Sequence, residues 1–195
     1  MSLSALHGWC KRFAGVMALL WLAGCAAPPS GSNTSSQTEF LRYGRFALKA
    51  EEFNRNPEAV QGGFTWRDTG VRFSLDLTDP MGSVIARVVV ERTGATLTRA
   101  NGEQIYAKTP DALMQSVLGQ TVPVDGLRTW LHTIKTPLPG MSMVVMDQDG
   151  RIQTFEQSGW RVQLSRFDEL GPQLLVLTHS EGSKNIAIRL VVDHP

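Results

Sequence analysis

Histidine, cysteine and serine are the residues of this chain best able to do chemistry, and their arrangement matches no familiar catalytic motif. His132, His179 and His194 are the histidines that follow residue 25. The sequence contains no HExxH, CxxC or GxSxG motif and no glycine loop of the phosphate-binding type. Asp147 to Gly150 lacks the spacing and the closing glutamate of a calcium loop, so we interpret it as a hairpin turn. We therefore predict no catalytic residue, no metal site and no cofactor.

The composition is that of one ordinary domain with an apolar core. Of 195 residues, 42% are hydrophobic and 19% are charged, which excludes collagen-like, disulfide-dense and strongly disordered chains. The formal net charge is +1. Because nucleic-acid-binding proteins normally carry a basic face, we predict no nucleic-acid partner.

A targeting segment precedes the domain. Lys11 and Arg12 form a positive flank, and the apolar run from Phe13 to Leu22 is shorter than the roughly 20 residues that span a bilayer. The run ends in Leu22-Ala-Gly-Cys25, which resembles the lipobox of bacterial lipoproteins. We predict that residues 1–24 are a signal peptide and that Cys25 is lipidated. The alternative is an ordinary secretory signal with an incidental cysteine.

The predicted mature chain has a net charge of −1 and no free thiol, because Cys10 leaves with the signal and Cys25 carries the lipid. Residues 25–37 are rich in Pro, Gly and Ser, which predicts a flexible tether. We place the folded domain at residues 38–195. Whether residues 39–42 begin it as a short helix is open.

Alternation with period two dominates the domain and predicts antiparallel strands. Residues 71–77 show it best, with Val71, Phe73, Leu75 and Leu77 on one face and polar residues, including Asp76, on the other. We interpret such acidic residues as solvated. Strands are predicted within 46–50, 62–66, 71–77, 83–91, 96–99, 104–106, 141–146, 151–157, 160–166, 174–178 and 186–192.

Two amphipathic helices interrupt the strands. Thr109-Pro-Asp111 provides an N-cap, a proline at the first helical position and an acid in the first turn. A second helix is expected from about Asp125 until Pro137-Leu-Pro139 stops it. His132 falls at its end, where we expect an exposed side chain. The predicted fold is mainly β: an antiparallel sheet of about ten or eleven strands, long enough to curl around the helices.

A curved sheet that faces two helices encloses either a packed core or a ligand cavity. Trp66, Trp130 and Trp160 are large enough to line such a cavity. Asp79-Pro-Met-Gly82 has β-turn chemistry, so Met81 is expected to project into solvent, where a polar residue is the norm. An apolar, adaptable side chain there is suited to touching a membrane or acyl chains.

These segments together resemble one family. The resemblance runs from Cys25 nearly to the C-terminus, and the order and spacing of its segments indicate the LolB family of outer-membrane lipoprotein receptors of Gram-negative bacteria. The segments are Leu22-Ala-Gly-Cys25, Gly44-Arg-Phe46, Gly62-Gly-Phe-Thr-Trp66, Leu77-Thr-Asp-Pro-Met-Gly-Ser83, Leu118-Gly-Gln-Thr-Val-Pro-Val124, Leu127-Arg-Thr-Trp-Leu131 and Gln157-Ser-Gly-Trp160.

The resemblance implies an unclosed antiparallel β-barrel covered by a helical lid, whose apolar cavity accepts lipoprotein acyl chains from the periplasmic carrier LolA. It also implies insertion of this cargo into the inner leaflet of the outer membrane, without ATP. The protruding loop of Pro80, Met81 and Gly82 would contact membrane phospholipid. The family often has leucine at the position of Met81. Ala26, the residue after the predicted lipidated cysteine, agrees with sorting to the outer membrane. We expect the protein to be anchored by Cys25 on the periplasmic face of that membrane, and we expect it to be a monomer.

Alternation and the predicted helices indicate which residues would line the cavity. The surface that docks the carrier stays unassigned. A non-transferring envelope lipoprotein, acting as a scaffold or assembly factor with a filled core, is the main alternative. An enzyme would need Ser83, Ser142 or Ser165 beside a histidine. The residues predicted to line the acyl-chain cavity are Phe46, Phe64, Trp66, Phe73, Leu75, Leu127, Trp130 and Leu131.

Overall fold

The alternating segments form one sheet of eleven strands in the computed structural model, which describes residues 39–118 and 122–193. The predicted signal peptide, the tether and Cys25 lie outside the described residues, and so does His194. The strands are β1 (Phe40–Glu52), β2 (Glu58–Asp68), β3 (Phe73–Thr78), β4 (Val84–Glu91), β5 (Gly94–Arg99), β6 (Gln104–Ala107), β7 (Ser142–Met146), β8 (Ile152–Gln157), β9 (Trp160–Phe167), β10 (Pro172–Glu181) and β11 (Lys184–Val192).

The sheet is antiparallel throughout and does not close. Its order is β6-β5-β4-β3-β2-β1-β11-β10-β9-β8-β7, so β6 and β7 are the two edges. The first and last strands meet in the middle, where β1 pairs with β11 from Gly44↔Val192 to Glu52↔Lys184. The predicted fold class, a mainly β protein with an unclosed antiparallel sheet and a helical pair, is confirmed.

The structure answers one open question about the strands and corrects one prediction. Residues 40–42, where a short helix was an open possibility, are strand, because β1 begins at Phe40. Val71 is exposed and lies before β3, because Gly70 takes a positive φ of 84° and the Thr69 N–H bonds to the Arg72 carbonyl at 3.0 Å. That turn delays the start of the strand to Phe73.

Asp76 is not solvated, which corrects the prediction for the polar face of β3. The residue is 7% exposed and lies between Arg67 and Arg87 of the neighbouring strands. Arg87 donates two hydrogen bonds to its carboxylate, the longer at 2.9 Å. Long arginine stems cover the carboxylate, so a position on an outer strand face can still be dry.

The helices are α1 (Pro110–Leu118) and α2 (Val124–Trp130). Thr109 caps α1 as predicted, since its Oγ1 accepts the Ala112 N–H at 3.1 Å. The second helix ends at Trp130, well before Pro137. The chain leaves it to pack the Leu131 carbonyl against Gly171, where a Cβ would lie 2.1 Å from that oxygen.

The concave side of the sheet and the two helices share the apolar core. Trp66, Trp130 and Trp160 are each nearly fully buried. A smaller cluster beneath α1 contains Val88, Ala95, Leu97 and Leu113. Neither helix of the described part has the length and hydrophobicity needed to cross a membrane.

Candidate functional site

An apolar cavity of about 340 Å³ lies between the concave face of the sheet and the helices. Strands β1 to β5 and β11 form its floor, and α1, α2 and the segment before α2 form its roof. Alternation turns one face of each strand inward, and helical spacing turns Met114, Leu127 and Leu131 toward the strands. The lining residues are Phe46, Leu48, Val60, Phe64, Trp66, Leu75, Leu77, Ile85, Ala86, Leu97, Arg99, Met114, Val117, Val122, Val124, Leu127, Leu131, Ile188 and Leu190.

The structure brings six of the eight predicted residues together around this cavity. Phe73 and Trp130 are buried outside the lining. Phe73 stacks on Trp66, with ring centroids 4.7 Å apart. Trp130 packs edge-on against Phe155 at 5.5 Å, and its indole N–H donates to Gln157 Oε1 at 3.0 Å. The six that line the cavity are Phe46, Phe64, Trp66, Leu75, Leu127 and Leu131.

Several lining residues were missed by sequence reasoning. Leu48 and Leu77 continue the alternation of Phe46 and Leu75, so the same pattern could have found them. Val122 precedes α2 and Val124 is its first residue, where no strand or helix periodicity is yet visible, so only the folded chain places them over the cavity. The indole N–H of Trp66, a predicted lining residue, is buried and has no hydrogen-bond partner among the described residues.

The exposed members of the lining mark where the cavity opens. Val60 and Ile85 are both exposed, and the Arg99 side chain is 42% exposed. Val60 lies near the start of β2, Ile85 near the start of β4 and Arg99 at the end of β5. In an antiparallel sheet these positions fall at one end, so the mouth is at the end of the sheet that carries the β3–β4 loop.

The β3–β4 loop presents Met81 to solvent, with 90% of the residue exposed. Asp79 Oδ1 accepts the N–H groups of Met81 at 2.8 Å and of Ser83 at 3.0 Å. The Gly82 N–H donates to the Asp79 carbonyl at 3.0 Å, which closes the predicted turn, and Gly82 has a φ of 91°. These bonds fix the loop backbone and leave the apolar side chain of Met81 exposed to solvent.

An ion pair ties the lid helix α2 to the sheet. Arg128 Nη2 donates to Asp68 Oδ1 at 2.7 Å and to the Gly70 carbonyl at 2.7 Å. Burial raises the pKa of Asp68, but hydrogen bonds from Arg128 and the Gly70 N–H outweigh it and hold that pKa below its usual value. The pair therefore stays charged at neutral pH and fastens α2 at its C-terminal turn.

Neither described histidine takes part in a catalytic arrangement. His132 is exposed on one side, as predicted, and its ring stacks on Phe40 with centroids 3.7 Å apart. Loss of water on the covered side of the ring lowers the pKa of His132. The charges of Arg42 and Arg128 also lower this pKa, although the charge of Asp68 raises it. His179 Nδ1 lies 2.8 Å from the Gly159 carbonyl oxygen, and its ring stacks on Trp160.

The predicted hairpin turn at residues 147–150 is confirmed. The Gly150 N–H donates to the Asp147 carbonyl at 3.1 Å, and Asp147 Oδ1 accepts the N–H groups of Asp149 and Arg151. Burial raises the pKa of Asp147, but the hydrogen bonds from Arg151 and from the Asp149 N–H outweigh this effect and hold the pKa below its usual value. Over residues 39–118 and 122–193, no group of His, Cys, Asp and Glu side chains could hold a metal ion.

An apolar cavity between a sheet and a roof of two helices, open at one end, is the arrangement of a protein that holds an apolar ligand. Residues 38–194 match the family model described as outer membrane lipoprotein LolB, so the chain belongs to the LolB family, as its sequence motifs indicated.

Proteins named outer-membrane lipoprotein LolB align over nearly the whole chain. The Bordetella petrii protein is 46% identical over 97% of this chain and 94% of its own length. The Bordetella pertussis protein is 44% identical over 96% of this chain and 94% of its own. The Cupriavidus metallidurans protein is 34% identical over 89% of this chain and 90% of its own. A solved LolA superfamily protein of Nitrosomonas europaea aligns at a TM-score of 0.40 and 8% identity, over 80% of this chain and 87% of that chain.

Proposed function

We propose that this protein is an outer-membrane lipoprotein receptor. It takes acylated lipoproteins from the periplasmic carrier LolA into its apolar cavity and inserts them into the inner leaflet of the outer membrane, without ATP. The observation that carries the proposal is an apolar cavity under a helical lid in a chain of the LolB family. The protein acts as a monomer held on the periplasmic face by lipid on Cys25, and it is not an enzyme.

The energetics of acyl chains support this role. Burying one methylene is worth about 0.8 kcal/mol, so a chain of many methylenes must be hidden while it moves between membranes. A cavity of about 340 Å³ is near the lower end of the sizes that hold small ligands. Holding several acyl chains therefore requires the roof to rise, and the Asp68–Arg128 pair is one of the polar contacts that this movement would break.

The β3–β4 loop delivers the cargo to the membrane in this proposal. Met81 lies at the mouth end of the sheet, and the bonds to Asp79 hold its backbone while its side chain stays exposed. An apolar side chain presented on a fixed loop inserts among acyl chains at little conformational cost. Pro80 and Gly82 shape this loop.

Replacing Met81 with glutamate tests the loop. We expect Met81→Glu to leave folding and acyl binding intact and to slow delivery of lipoprotein into liposomes about tenfold, because a charge replaces the apolar contact with the bilayer. Delivery is measured as lipoprotein that floats with the liposomes after transfer from loaded LolA.

Met143 provides a matched control, since it is a methionine on β7 that is 71% exposed and far from the loop in sequence. Met143→Glu should deliver at the normal rate. Equal delivery by the Met81 and Met143 variants would refute the role of the loop. A purified protein that binds neither acyl probes nor loaded carrier would instead favour the scaffold alternative.

A further inference from the structure

Arg99 lies on the inward face of β5, where the other side chains are apolar. Ala95 and Leu97 of β5 face the core, and Arg99 follows them on the same face. Its direct neighbour on β4 is Ala86, whose own neighbour on β3 is Leu77, which in turn faces Phe64 on β2. All four residues of this row line the cavity. The row therefore runs from a deep aromatic ring to a guanidinium at the mouth.

Arg99 is the one charged residue in the lining among the described residues. Its row neighbour Ala86 is the smallest side chain of the lining, which leaves space beside the guanidinium. An arginine here has five N–H donors and no acceptor, so it can recognise an oxygen and not an alkyl chain. Its apolar stem packs with the cavity wall while the charged end reaches the mouth.

Arg99 forms a weak, exposed ion pair with Glu103 in this structure. Arg99 Nε lies 3.3 Å from Glu103 Oε2, four residues along the β5–β6 hairpin, and both side chains are exposed. Over residues 39–118 and 122–193, the Arg99 side chain forms this ion pair but no side-chain hydrogen bond. Exposed pairs of this kind exchange readily for another acceptor.

We propose that Arg99 binds the carbonyl oxygen at the head of a bound acyl chain. This inference rests on the proposed function, since it requires an acyl chain in the cavity. A chain that enters tail-first leaves its ester or amide carbonyl at the mouth, where the guanidinium donates to it in place of its contact with Glu103. Arg99 thus sets the depth and direction of the chain, and the ligand it selects is an acyl ester or amide and not a plain alkyl chain.

The test compares two lipopeptides with equal alkyl chains and a photoreactive group near the chain end, one ester-linked and one ether-linked. The full-length protein is held in lipid nanodiscs, and adducts in the cavity are quantified by mass spectrometry. We expect the wild type to favour the ester probe about tenfold, since the ether lacks the carbonyl and a hydrogen bond to a charged group is lost.

Three variants make the assignment specific. Arg99→Met should reduce the ester preference to about one with unchanged ether labelling, and Arg99→Lys should restore part of it. Glu103→Gln is the matched control, because it removes the ion pair and keeps the donor, so the ester preference should persist or rise. An ester preference that survives in Arg99→Met, or is absent from the wild type while both probes label the cavity, overturns the role of Arg99. Absence of labelling by both probes overturns the proposed function itself.

Discussion

At the scale of single residues, the most buried charge of the described chain is Arg42, which is 2% exposed. Its Nη1 donates to both Asp168 oxygens, at 2.9 and 2.7 Å, and its Nη2 donates to the Pro172 carbonyl at 2.8 Å. Burial raises the pKa of Asp168, but the hydrogen bonds from Arg42 and the Gly171 N–H lower it by more. The pair joins β1 to the β9–β10 turn through both terminal nitrogens of Arg42, while its buried Nε has no hydrogen-bond partner among the described residues.

Removing one partner of this pair should be costly. We expect Asp168→Asn to lower the free energy of unfolding by about 3 kcal/mol, because the guanidinium of Arg42 stays buried without its counter-charge. Urea unfolding measures the loss. The exposed pair of Arg45 and Asp193, 3.5 Å apart, is the control, and Asp193→Asn should change stability by less than about 0.5 kcal/mol. Similar losses in both variants would contradict a special role for burial.

At the scale of elements, the lid helix α2 depends on contacts from outside itself. It has seven residues, too few to be stable alone, and its N-terminus is capped from α1, where Asp111 Oδ1 accepts the N–H groups of Val124 at 2.9 Å and of Asp125 at 3.3 Å. Val124, Leu127 and Trp130 fasten its apolar face, and the Asp68–Arg128 pair fastens its last turn. We therefore expect loss of the Asp68–Arg128 pair to loosen the last turn of α2 while the sheet beneath it stays folded.

Cutting that tie should free the lid. We expect Asp68→Asn to speed hydrogen exchange of the α2 amides about tenfold, which corresponds to about 1.4 kcal/mol of local stability. Asp76→Asn is the matched control, because Asp76 is equally buried at 7% but pairs with strand arginines. Its variant should leave α2 exchange unchanged, and equal acceleration in both would show that the effect is global.

Acid should act on the same tie. The folded-state pKa of Asp68 lies below its unfolded value, so its stabilising effect is complete above the unfolded pKa and is lost as the pH falls through the folded pKa. We expect α2 exchange, corrected for its intrinsic rate, to accelerate on acidification in the wild type and to respond less to pH in Asp68→Asn. The pH dependence of exchange in the two proteins measures this difference, and parallel curves would exclude Asp68.

At the scale of the whole molecule, the fold keeps space that a more stable protein would fill. A cavity of about 340 Å³ lacks the dispersion contacts of a packed core. In the proposed function that space is what the cargo occupies. The stability of the fold and its capacity to bind cargo are therefore opposed. A side chain that fills the cavity should raise the stability and weaken the binding of acyl chains.

Ala86→Leu should show this opposition. We expect the midpoint of thermal unfolding to rise by about 3 °C, because added methylenes are buried in empty space, and acyl-probe binding to weaken about tenfold. Calorimetry and probe titration measure the two effects. Ala47→Leu, on the outer face of β1, is the control and should change neither. Unchanged probe binding in Ala86→Leu would place the ligand elsewhere.

Sequence patterns predicted the faces of the strands well, because inward and outward residues alternate whatever the partner strand is. They could not predict depth along a strand, which is why Phe73 was assigned to the cavity although it lies at the far end of β3. Nor could they predict the buried ion pairs. Arg42 and Asp168 are 126 positions apart, and Asp68 and Arg128 are 60 apart, so only the folded chain joins them.

An unclosed sheet also has to avoid growth at its edges. Unpaired strand edges are templates on which further copies can add, and the two edges here are poor templates. Strand β6 has four residues and lies beside α1, and β7 has five residues and two register shifts against β8. Met143 on β7 also has a positive φ of 51°, which bends that edge out of a regular ladder. The molecule can thus keep its sheet unclosed without offering a flat edge for aggregation into fibres.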